Sequence, residues 1–148
     1  MDLDLYQAET ARIADQQVAL LTAARQILAS GRSLSALEQS GVLHALQVLI
    51  ENAIGKAKQW LKAAQHAVPV SAYDTFNALA VRGLIAQEDL STWNALIGLR
   101  NKIVHDYMNI DMGRVIALVK AEQERFIVGF LLKPFEITPA FKNFQHKD

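Results

Sequence analysis

Cysteine is absent from this 148-residue chain. That excludes disulfides, thiolate metal sites and a cysteine nucleophile, and it accords with a reducing, cytoplasmic setting. Proline is scarce, with only Pro69, Pro134 and Pro139 present, so long stretches lack the strongest helix breaker. Charge of one sign is not in excess, because 15 Lys+Arg balance 15 Asp+Glu. A general nucleic-acid coat is usually basic, so if the chain acts on RNA its positive field must be local. No apolar run approaches the ~20 residues of a membrane span. The acidic opening Met1-Asp2-Leu3-Asp4 is not that of a signal peptide. Strand signals, repeats, a phosphate-cradling glycine loop and a serine-nucleophile motif are all missing. His44, His66 and His146 are scattered without ligand spacing, so neither a metal nor a cofactor is expected.

What the chain does have is apolar residues at helical spacing. Its hydrophobic fraction is 51%, against about 45–50% for globular proteins. That argues against disorder and points to a covered face, hence a homodimer. A chain this long buries roughly 68–70% of its unfolded surface, so it needs no covalent staple. One domain is expected over residues 1–133, with residues 134–148 as a tail carrying Phe135, Phe141 and Phe144, packed loosely or against a partner.

The pattern predicts an all-α fold, an antiparallel bundle of four or five helices. The first helix is expected over Leu3–Ala29, with Leu5, Ala8, Ile13, Leu20, Leu21, Ala24, Ile27 and Leu28 as its stripe and Gly31 as its stop. The second opens at Ser35-Ala36-Leu37-Glu38, a capping box in which Ser35 and Glu38 each satisfy a free backbone N–H. It runs to about Gln65 along Leu46, Leu49, Ile50, Ala53, Ala57, Trp60, Leu61 and Ala64, and Pro69 follows. Two long helices in succession imply a hairpin of two rods. A third helix is expected over Ala72–Arg82 before Gly83, a fourth from Gln87 to Tyr107, and a fifth, capped by Asp111, from Met112 to Leu132.

The informative stretch is Arg100-Asn101-Lys102-Ile103-Val104-His105-Asp106-Tyr107. Trp93, Leu96, Arg100, Ile103 and Tyr107 step by 3, 4, 3, 4, which is a seam facing a neighbouring helix. Arg100 sits in that seam, and a guanidinium is costly to bury unpaired. It must therefore meet an acid such as Glu51, line a wet cleft, or await an anionic ligand. His105 lies about 140° around the helix from Arg100. Either the helix distorts near His105, or a second copy brings its own pair to a shared cleft. Asn101 shares the face of His105 and can orient it or a phosphate, and Gly98 lets another backbone come close. A histidine moves protons near neutral pH, and an arginine grips phosphate and stabilises charge on it. These parts suffice for RNA cleavage in which the 2′-hydroxyl attacks the adjacent phosphate.

Bland readings stand beside these. A lone histidine is more often structural, and a lone tyrosine at a helix end is ordinary. Asp106 is read as solvated, paired with Lys102. Lys56, Lys58 and Lys62 read first as a solvated helix face and only second as an RNA contact. Trp60 and Trp93 read as core or interface.

The spacing R-x4-H-x-Y, with a polar Asn101 after the arginine, resembles the motif of HEPN domains. The terminal tyrosine resembles that of HepT-like RNase toxins from MNT–HEPN toxin–antitoxin systems. The second-helix run Ala45–Ile54 and the Pro69, Tyr73–Phe76, Gly83–Ile85 region are similar to the family's second and third helices. The resemblance covers about Leu3 to Leu132. It implies a metal-independent endoribonuclease with Arg100 and His105 as the catalytic pair, Asn101 in support, and two protomers forming one cleft. It further implies that a nucleotidyltransferase antitoxin transfers AMP to Tyr107, placing negative charge and bulk beside the RNA groove. On a continuous helix Tyr107 is in phase with Arg100, so its phosphate would capture that guanidinium. The alternative function is a helical binding subunit of a nucleotidyltransferase without catalysis of its own.

Overall fold

The computed structural model describes residues 2–135, and all regular structure among them is helical. Six α-helices follow one another: α1 (Leu3–Ala29), α2 (Ala36–Ala63), α3 (Ala72–Val81), α4 (Leu90–His105), α5 (Met112–Lys120) and α6 (Glu124–Leu132). Two 3₁₀ turns, Gln87–Asp89 and Tyr107–Asn109, flank α4. No described helix is long and apolar enough to cross a membrane.

Local chemistry places most boundaries where the sequence predicts them. Gly31, at φ +88°, ends the α1 region in a conformation that only glycine adopts cheaply. The Ser35–Glu38 capping box forms in both directions, and Arg32 braces it through both carboxylate oxygens of Glu38 at 2.9 and 2.8 Å. The Arg32 guanidinium and the Ser35 backbone amide hold the Glu38 carboxyl down at about 2. Gly83, at φ +71°, closes α3.

α2 is the central rod. It packs against α1, α3, α4 and α6, and Leu46, Leu49, Ile50, Ala53, Ala57, Trp60 and Leu61 are almost wholly removed from water. α1 and α2, joined by a short loop and packed along one another, make the expected hairpin. An aromatic cluster ties four helices together. Phe76 of α3 stacks on Trp93 of α4 at 4.3 Å, Phe130 of α6 meets the Trp93 edge at 5.0 Å, and Trp60 of α2 lies 6.0 Å from Phe130. Both tryptophans are therefore core residues. Phe135, expected in a loosely packed tail, instead extends the cluster onto Tyr6 at 5.9 Å, while Phe141 and Phe144 lie outside the described residues.

Three expectations need correction. The fifth helix is two, because the chain turns at Glu122, which takes φ +55°. The cause is tertiary. Arg25 of α1 donates to the Val119 carbonyl at 3.1 Å and to both oxygens of the buried Glu124 carboxylate at 2.7 and 2.8 Å. A forked charge-assisted pair of this kind favours the turn over a straight helix that would bury Glu124 unpaired. The basic patch on α2 is a solvated face only at Lys62, which stands exposed. Lys56 is fully buried, and its ammonium donates to the carbonyls of Phe130 at 2.9 Å, Leu131 at 3.1 Å and Lys133, capping the end of α6. Lys58 is half-buried and donates to the Val70 carbonyl at 2.9 Å. The α1 stripe also departs from the pattern, since Leu5 and Leu20 stand exposed.

Candidate functional site

The site is built on the last turns of α4. Trp93, Leu96, Ile97 and Ile103 are buried, so the helix is anchored by its inward seam. Arg100 lies in that seam and is half-buried. Its Nε is shut off from solvent and has no hydrogen-bond partner. Glu51, the acid expected to pair with it, is exposed and accepts from Gln47 at 3.1 Å instead. Among the described residues no ion pair involves Arg100. Of the three fates open to this guanidinium, pairing with an acid is thus the one the structure does not use.

His105 is the last helical residue and is exposed. The helix is unbroken from Arg100 to His105, so the two side chains leave it about 140° apart. The distortion comes one residue later. Asp106 turns out of the helix at φ −145°, ψ 45°, and its carboxylate accepts from Asn109 Nδ2 at 2.7 Å. That bond stabilises the 3₁₀ turn, and Asp106 is not the surface partner of Lys102 that the spacing predicts. Asn101 is half-buried beside Arg100 in the chain. Gly98 meets no foreign backbone; a Cβ there would stand 3.6 Å from the Tyr73 hydroxyl.

Tyr107 does not continue α4. It opens the 3₁₀ turn and is 48% exposed, so its expected helical phase with Arg100 is lost. Its hydroxyl instead lies 3.1 Å from Ser40 Oγ on α2. A cleft of about 360 Å3 runs past this pair, lined by Gln39, Leu43, Met108, Ile110 and Met112 among others. Ser40 and Gln39 carry no sequence signal for this place. They are brought there only by the packing of α2 beside the end of α4. Asp111 then caps α5, accepting from the Arg114 amide at 3.2 Å. No group of three or more His, Asp or Glu among the described residues is arranged to hold a metal ion.

An all-helical bundle with Arg100 and His105 at R-x4-H spacing at the end of α4 is that of a HEPN-like domain. The family model described as "Ribonuclease HepT-like" matches residues 15–128, and the chain belongs to that family. A relative from Shewanella oneidensis, named mRNA nuclease HepT, is 33% identical over 88 residues, a stretch that spans 60% of this chain and 66% of the relative. The fold is similar to that of the tri-AMPylated Shewanella oneidensis HEPN toxin solved in complex with MNT antitoxin. There the TM-score is 0.72 at 23% identity, covering 85% of this chain and 96% of that one. It is also similar to a toxin–antitoxin structure solved with AMP-PNP, with TM-score 0.61 at 23% identity, covering 80% of this chain and 97% of that one.

Proposed function

We propose that this protein is the RNA-cleaving toxin of a toxin–antitoxin pair, a metal-independent endoribonuclease of the cytoplasm. Its domain is taken as residues 1–133, with 134–148 as a tail. The observation that carries the reading is the Arg100 guanidinium, half-buried, with an unpartnered Nε and no ion pair among the described residues. A cation held this way lacks a counter-charge, and an RNA phosphate supplies one in the planar geometry that a guanidinium fits. The mRNA nuclease named among the relatives supports RNA as the substrate.

In the reaction, the ribose 2′-oxygen bonds to the adjacent phosphorus and the bond to the 5′-oxygen breaks, leaving a cyclic phosphate. His105 moves the proton, Arg100 neutralises the charge growing on the phosphoryl oxygens, and Asn101 supports the phosphate or the imidazole. Because one straight helix points Arg100 and His105 apart, the working cleft is composite, formed by a homodimer in which each copy supplies part. An MNT-type nucleotidyltransferase antitoxin neutralises the toxin by placing AMP on Tyr107, a role that suits a side chain about half exposed to solvent.

The test is cleavage of RNA by the purified protein in the presence of a chelator. His105→Ala is expected to lower the rate by about 10²–10⁴-fold, and cleavage at the wild-type rate in that variant removes His105 from the mechanism. A second reading is a non-catalytic binding subunit of a nucleotidyltransferase. It is favoured by the zero net charge, unusual for a protein that grips RNA. Expression of the chain alone separates the two, since growth arrest is expected of the toxin and normal growth of the binding subunit.

A further inference from the structure

The hydroxyls of Ser40 and Tyr107 lie 3.1 Å apart, joining α2 to the turn after α4 across 67 residues of sequence. Both residues are exposed, so water could satisfy either one. The contact is therefore not explained by a need to satisfy buried polar groups. Its effect is on geometry. A tyrosine on a short 3₁₀ turn is held by few neighbours, and the Ser40 contact fixes where its oxygen stands. That oxygen is placed at the edge of the cleft lined by Gln39, Met108 and Met112.

We propose that Ser40 is a positioning residue for nucleotidyl transfer to Tyr107, an inference that rests on reading Tyr107 as the modified residue. In the transfer, Tyr107 Oη bonds to the α-phosphorus of a nucleoside triphosphate. The bond from that phosphorus to the oxygen bridging the α- and β-phosphates breaks, and pyrophosphate leaves. The phenolic proton passes to a base on the transferase or to water. A serine hydroxyl is both donor and acceptor and turns freely. In the resting protein it can accept the phenolic hydrogen. As charge grows on the phenolic oxygen, it turns and donates to that oxygen, and such charge-assisted bonds are the stronger kind. The aryl phosphate oxygen formed by transfer still accepts, so the contact also suits the modified protein. Since Ser40 acts through Tyr107 and not on the nucleotide, its loss is read in kcat and not in KM for the nucleotide.

The experiment incubates the full-length protein with an MNT-type nucleotidyltransferase and radiolabelled ATP. Ser40→Ala is expected to lower kcat for labelling about tenfold, with KM for ATP unchanged and with Ser40→Thr restoring most of the rate. Tyr107→Phe is expected to take no label. Wild-type labelling of Ser40→Ala beside an unlabelled Tyr107→Phe overturns the role of Ser40 alone, and so does a Ser40→Thr protein as slow as the alanine variant. Full labelling of Tyr107→Phe removes the reading of Tyr107 as the modified residue, and this proposal with it.

Discussion

In the first half of α4, Trp93, Leu96 and Ile97 are nearly sealed from water, and Trp93 contacts three phenylalanine rings, Phe76, Phe126 and Phe130. One turn further on, Arg100 keeps a buried donor without a partner, and His105 faces solvent. The first half satisfies every rule for a stable core. The last turns break two of them, leaving a polar atom unsatisfied and a cation without a counter-ion among the described residues. Such violations persist where a ligand later supplies what is missing. The helix thus changes along its length from a packed half to one with open polar groups, and the packed half holds the other in place.

That contrast can be broken from either side. The largest effect is expected at the anchored end, where Trp93→Ala should cost about 3–5 kcal/mol of unfolding free energy, measured by urea denaturation. Cleavage per folded molecule should survive in that variant at low temperature. At the reactive end, Arg100→Met should lower RNA cleavage by about 10²–10³-fold. Its melting temperature should stay level or rise, because an unpaired guanidinium leaves the interior. A large fall in melting temperature there would show that Arg100 serves the core, and the contrast would fail.

Lys56 sharpens the comparison as a buried cation that does have partners, the three carbonyls at the end of α6. Burial, with the positive Lys133 adding to it, lowers its pKa from 10.5 to about 8. Between those two values the unfolded chain holds a proton that the folded one has released. This group's contribution to stability therefore rises with pH through that window, by at most about 1.4 kcal/mol per pH unit. Denaturation of wild type and Lys56→Met across pH 7–10 checks the sign, since the methionine variant should lack that upward slope. Equal slopes would mean that Lys56 keeps its proton throughout.

Much of the bundle was legible because its signals are local. Ser35 and Glu38 stand three residues apart and cap one helix whatever surrounds them. Gly31 and Gly83 mark two of the turns that take a positive φ. Arg100 was legible as a residue with a problem to solve, since a guanidinium in an apolar seam is conspicuous in any context. Other features were hidden because their causes lie far along the chain. The break at Glu122 depends on Arg25, which reaches Val119 from 94 residues away. Lys56 looked like a surface lysine because the carbonyls it caps belong to α6. Tyr107 looked helical because nothing in the spacing announces that Asp106 will turn aside and bond Asn109.

Alone, the order of residues determined the first three helices, the Ser35–Glu38 capping box and the R-x4-H spacing of Arg100 and His105, because periodicity and capping act within a few residues of each other. Packing decided that Lys56 would find three carbonyls and that Arg100 Nε would be buried without a partner among the described residues. It also decided that Ser40 would meet Tyr107. Those outcomes depend on where distant helices come to rest against one another, and no short-range pattern encodes that.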